Sequence, residues 1–191
     1  MQYLPKRKEI YLSALRKFIS SSIQRNGLDG KSLGMLCRVR RAELKLHKEY
    51  LQSVDFRNLT DSVMYAAFLI SLKHGRLLVY TLKSNAKIMI DSKLYTAFLS
   101  ELCSSGKSRV NVIDITLANG EIIIIAEGID GISRISFYMK KLNGIYYYSN
   151  DLKKLLIRIP AVSTLTVPER VYSAWEFTDP FSDVSIFLCD K

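Results

Sequence analysis

The stretch VNVIDITLANGEIIIIAEGIDG, residues 110–131, decides how the fold is read. Val110 to Leu117 and Glu121 to Ala126 are rich in strand-forming residues, and Ala118-Asn119-Gly120 lies between them. Asn-Gly tolerates the positive φ of a tight turn, so the stretch predicts a β-hairpin. After it comes a glycine-bearing acidic loop, Glu127-Gly128-Ile129-Asp130-Gly131, and then a short helix expected over Ile132 to Leu142 and stopped by Asn143-Gly144. Ile145 to Tyr148 and Leu155 to Ile159 form a second hairpin that ends at Pro160.

Working towards the N-terminus, Asp91 or Ser92 starts a helix that runs to about Ser104, and Leu77 to Leu82 and Lys87 to Ile90 read as strands. A further helix is expected from about Asn58 to Lys73, with Leu59, Val63, Ala66, Ala67 and Ile70 on one face and His74-Gly75 as its stop. Before that, Leu12, Leu15, Ile19 and Ile23 recur at helical spacing up to Asn26-Gly27. A second amphipathic helix, capped by Ser32, carries Met35, Leu36, Val39, Ala42, Leu46 and Tyr50 as far as about Gln52. Neither helix can bury its stripe alone, and pairing with a second copy into a four-helix bundle would cover both. The predicted architecture is α+β, a sandwich with helices on one face of a mixed sheet, preceded by an α-helical hairpin. Three segments result: 1–54 as the hairpin, 55–160 as the sandwich, and 161–191 as an extension. The last contains Trp175, Phe177, Phe181 and the strand-like Val184-Ser185-Ile186-Phe187-Leu188, which is too apolar for a free tail, so it is expected to pack on the sandwich.

Composition narrows the class. With 191 residues, 48% of them hydrophobic, the chain can bury a core and is not a disordered protein. Its longest apolar runs fall far short of the ~20 residues that cross a bilayer, and no apolar core follows the basic start, so the chain reads as soluble and cytoplasmic. The three cysteines are scattered, without spacing for zinc or a disulfide framework. The net charge of +10 is concentrated at the start, where residues 1–60 hold 13 Lys or Arg against 5 acids. Arg38, Arg40, Arg41, Lys45 and Lys48 would lie along one helix, either as a solvated face or as a contact for phosphates or an acidic protein.

The order of elements resembles the catalytic core of sensor histidine kinases and their relatives in the GHKL, or Bergerat, ATPase superfamily. The matching segments are Val54-Asp55-Phe56, Met89-Ile90-Asp91-Ser92-Lys93-Leu94, Ile122 to Gly131, Lys141-Leu142-Asn143-Gly144 and Leu156-Ile157-Arg158-Ile159-Pro160. The likeness covers roughly residues 55–160 and rests on order and spacing. It implies an ATP and magnesium site built from Glu101 and Ser105 on the long helix and from Glu127 and Gly131 in the glycine box.

Those positions depart from the family pattern. Ser105 stands where relatives carry an Asn, and serine is a poorer metal ligand than an amide carbonyl. Glu127 replaces the Asp that accepts the adenine amine, and Ile129 replaces the first glycine. Between Gly131 and the next helix there is no room for the long lid whose backbone amides wrap the phosphates. Residues 10–25 contain no phosphoacceptor histidine, and the two histidines present are His47 and His74. Ser104-Ser105-Gly106-Lys107-Ser108 imitates the end of a P-loop, but a helix precedes it and Glu101 stands where that motif needs its first glycine.

The resemblance therefore implies a signalling protein inactive as a kinase, without a bound cofactor, that acts through homodimerisation and contacts with a signalling partner. One alternative is a weak ATP-binding histidine kinase or anti-sigma-type kinase. Another is nucleic-acid binding through the basic N-terminal helices, disfavoured because aromatic interleaving and a reading motif are absent.

Overall fold

The computed structural model describes residues 3–189 apart from Leu28, residues 107–109, Gly131, Ser133 and Glu169, with side chains described from Lys8 onward except at those positions and at Asn26. Two units divide the chain. One runs to Lys48 and the other spans Glu49–Leu188.

The first unit is a helical hairpin of α1 (Tyr3–Asn26) and α2 (Gly30–Leu46). Ile19 and Ile23 of α1 are buried, as are Leu33, Leu36, Cys37, Val39 and Leu44 of α2. The cap of α2 is Asp29 rather than Ser32. Its carboxylate accepts the Ser32 backbone N–H at 2.6 Å, and that hydrogen bond holds the Asp29 pKa below the usual carboxylate range. The helix also stops at Leu46, short of Gln52, and Tyr50 is 60% exposed instead of joining its stripe. The basic residues do not form a single stripe either. Arg40 is turned inward and paired with Glu43 at 3.0 Å, whereas Arg38, Lys45 and Lys48 are exposed.

The second unit begins with β1 (Gln52–Asp55), a strand not expected from the sequence, where the preceding helix was expected to end at about Gln52; it is followed by α3 (Phe56–Lys73), β2 (Leu77–Lys83), β3 (Lys87–Ile90) and α4 (Ser92–Ser104). Next come β4 (Val110–Ala118), β5 (Glu121–Glu127), α5 (Ile135–Lys141), β6 (Ile145–Ser149) and β7 (Lys154–Pro160). The chain closes with β8 (Val162–Ser163), α6 (Ala174–Thr178) and α7 (Asp183–Leu188). The strands form two sheets, one ordered β1-β3-β8 and one ordered β2-β4-β5-β7-β6. In the larger sheet β2 runs parallel to β4 and every other pairing is antiparallel.

Each strand alternates, so one face of the larger sheet is apolar and covered. Ile113, Ala126 and Leu155 share a row across β4, β5 and β7, as do Ile115, Ile124 and Ile157, and all six are fully buried. The Asn-Gly turn forms as its chemistry requires, with Asn119 and Gly120 at φ of 52° and 74°. Asp55 and Asp91 cap α3 and α4, accepting the N–H groups of Asn58 and Leu94. The α4 helix is buried along its length from Leu94 to Ser104. Phe56, Tyr95, Phe98 and Tyr138 form a chain of ring contacts through this core, with successive centroids 6.0–6.4 Å apart.

The C-terminal segment is laid onto this unit. β8 adds to the edge of β3, and α7 buries Val184, Ile186, Phe187 and Leu188 against α3 and α4. Val184–Leu188 is thus helical, not a strand. Ser182 starts it by accepting the N–H of Ile186 on its carbonyl and that of Ser185 on its hydroxyl. Between them, Asn58 holds the Tyr172 backbone at both its N–H and its C=O, and Ser53 and Ser62 donate to Thr166 O and Tyr172 O.

Candidate functional site

The resemblance directs attention to the end of α4 and the loop after β5. Glu101 lies on α4 with its side chain 1% exposed and accepts an ion pair from Arg134 at 3.3 Å. Ser105 stands one turn later, and its hydroxyl donates to the Glu101 carbonyl at 2.7 Å, which commits it to the helix end. Ser104 makes the same backbone bond at 2.9 Å. Such i to i−4 and i−3 bonds finish a helix whose last carbonyls have no partner of their own.

The loop after β5 is tied to this helix end. Gly106 and Ile129 form an antiparallel bridge, and the Asp130 N–H lies 3.4 Å from Ser105 O. On the other side, the Ile129 N–H donates to Lys153 O at 3.1 Å, and the Tyr148 hydroxyl donates to Ile129 O at 2.8 Å. Ile129 itself is fully buried. The residue standing where relatives carry a glycine is therefore a packed side chain held by its backbone on two sides.

Glu127 does not join Glu101. It follows Ala126, whose side chain faces the helices, so strand alternation turns Glu127 to the opposite face of the sheet. There it is exposed and paired with Lys154 at 2.9 Å, its cross-strand neighbour. Gly131 lies outside the described residues. β5 and α5 are separated by the seven residues 128–134. Among the described residues, no cluster of three or more His, Cys, Asp or Glu side chains is placed to hold a metal ion.

Arg134 and Asn111 take part here without having been singled out in the sequence, and Tyr148 was read there as a strand residue. Arg134 comes 33 residues after Glu101, and no local pattern joins the two. Asn111 is 4% exposed, its amide packs against Gly106, and its Oδ1 has no hydrogen-bond partner among the described residues.

The fold is histidine-kinase-like, with helices on one face of a mixed sheet. Full-length ShkA in complex with AMPPNP superposes on the chain with a TM-score of 0.61 and 10% identity, over 85% of this chain and 47% of that one. The chain thus spans about half the length of ShkA. Acinetobacter baumannii histidine kinase AdeS aligns more loosely, with a TM-score of 0.45 and 15% identity over 81% of this chain and 96% of AdeS. The cytoplasmic segment of histidine kinase QseC gives a TM-score of 0.48 and 14% identity over 68% of this chain and 89% of that one. No protein-family profile and no curated protein sequence matches the chain. No helix among the described residues is long and apolar enough to cross a membrane.

Proposed function

We propose that this is a signalling protein built on a histidine-kinase core that has given up nucleotide chemistry and works through dimerisation and protein contacts. The observation that carries this reading is the buried Ile129, bridged to Gly106 at the end of α4. A nucleotide base would need that room. The remaining residues also fit ATP and magnesium poorly, because the Ser105 hydroxyl is spent on its own helix and Glu127 faces away from Glu101. The short loop before α5 leaves little chain for a phosphate-wrapping lid.

Dimerisation has its own support in the hairpin. Tyr11 and Phe18 of α1 are 66% and 67% exposed, outside the stripe that the helix buries against α2. Tyr11 and Phe18 are seven residues apart, the spacing of neighbours on one helix face. A second hairpin would cover them in a four-helix bundle. The partner of the assembled dimer is a signalling protein, cytoplasmic like the chain itself.

The second reading, a weak ATP-binding kinase, draws on Glu101 and Arg134 beside the helix end and on ShkA, which was solved with AMPPNP. Calorimetry of the full chain with ATP and magnesium separates the two. No heat of binding at millimolar nucleotide is expected. Micromolar affinity lost on Glu101→Ala would establish the kinase reading instead.

A further inference from the structure

The last strand of a sheet presents a row of unpaired backbone N–H and C=O groups, and proteins blunt such edges with proline, bulges or inward charge. β2 is one end of the five-stranded sheet and, among the described residues, is bonded on one side only, to β4. Its sequence, LLVYTLK, has no proline and a single charge, Lys83, at its last position. Leu77 and Val79 stand out from one face at 42% and 41% exposure. On the other face, Tyr80 sits beside Asp61 and Tyr65 of α3, and the half-exposed Tyr65 stacks on Phe68 with centroids 6.2 Å apart. The edge is thus largely apolar or aromatic on both faces, the exceptions being Thr81, whose hydroxyl donates to Asp114 of β4, and Asp61 beside Tyr80.

Charge supplies the second half of the argument. Lys73 precedes the strand, Lys83 and Lys87 follow its body, and all three are exposed. Residues 72–90 contain no acid, and the two acids beside the strand lie at its middle rather than its ends: Asp114 accepts from Thr81, and Asp61, beside Tyr80, is paired with Arg57. We propose that the β2 edge receives an extended segment of a partner protein, apolar in the middle and acidic at both ends, as an added sixth strand. Its alternate side chains would meet Leu77 and Val79 on one face and Tyr65, Phe68 and Tyr80 on the other, while its backbone supplies the missing ladder. Opposite charge at each end sets the register.

A second copy of the chain fits this edge less well. Antiparallel pairing of two β2 strands would bring Lys83 of each copy onto the Lys73 end of the other, and like charges repel. The opposite edge, β6, is only five residues long, and Lys153 and Lys154 just after it are already paired with Asp130 and Glu127. The inference depends neither on hairpin dimerisation nor on the loss of nucleotide binding.

The test uses the full chain and two fluorescein-labelled peptides with the same alternating Val-Thr core, one ending in paired Glu and the other in paired Lys. Fluorescence anisotropy should show the Glu-ended peptide binding about ten-fold tighter at low salt. Val79→Lys should abolish binding at unchanged melting temperature, and Lys73→Glu with Lys83→Glu should reverse the preference between peptides. Absence of binding, equal binding of both peptides, or binding indifferent to Val79→Lys overturns the proposal. Assembly beyond a dimer that Val79→Lys abolishes would give the edge to a second copy, and that also overturns it.

Discussion

Gly106 and Asn111 illustrate how single residues set the end of α4. A Cβ at position 106 would run into the Asn111 amide, which is buried and cannot swing freely into water. Gly106→Ala should destabilise the protein by about 1–3 kcal/mol in urea denaturation. Because the clash is with one side chain, Asn111→Ala combined with Gly106→Ala should recover most of the loss. A cycle without coupling would show that the backbone, not the amide, sets the limit. Thiol chemistry gives a second residue-scale prediction. Burial pushes the Cys103 thiol up to about 12, and its Sγ lies 3.8 Å from Met64 Sδ on α3. It stays protonated at neutral pH, and a thiol is a poor nucleophile beside its thiolate. Mass spectrometry after brief alkylation of the native protein should find Cys189, which is only half-buried, modified well before Cys37 and Cys103.

Elements add a different lesson, because the C-terminal segment is held in two ways. Its extended part is fastened by polar side chains, above all Asn58, whereas α7 is fastened by apolar burial. Removing Phe187, which is 1% exposed, should cost about 3–5 kcal/mol as Phe187→Ala. Asn58→Ala should cost less, about 1–3 kcal/mol, because it strips two hydrogen bonds from a partly buried backbone. Deleting residues 170–191 should lower the melting temperature or cause aggregation, since α3 and α4 would then present the apolar surface that α7 covers. A truncated chain that melts unchanged would mean that the segment contributes no stability here.

At the scale of the whole molecule, assembly is the testable quantity. Light scattering of the full chain should give twice the chain mass of 21.8 kDa. Phe18→Asp, at a site exposed within a single hairpin, should yield a monomer with unchanged helicity. Ile19→Asp should instead unfold the hairpin itself, because Ile19 is already 4% exposed within one chain. If Phe18→Asp leaves the mass at two chains, the exposed stripe of α1 is not the dimer interface.

Local chemistry made much of this fold legible in the sequence. The Asn-Gly turn, the strands around it, the stop at His74-Gly75 and the start of α4 at Asp91 depend on residues within a few positions of one another, and the structure has each of them there. Asymmetries that depend on distant partners were not legible. Gln52–Asp55 has no strand signal of its own and follows an expected helix, but it forms β1 because Lys87–Ile90, distant in sequence, offers it a ladder in register. Val184–Leu188 has strand composition, yet it turns helical where Ser182 caps it and α3 and α4 offer an apolar surface. The substitutions at Ser105, Glu127 and Ile129 were visible as letters. That Glu127 faces outward to Lys154, that Glu101 is paired with Arg134, and that Ile129 is sealed beneath the loop were decided only by tertiary structure. Turn and cap chemistry acts over a few bonds, whereas burial and charge pairing depend on which distant segment the chain brings alongside.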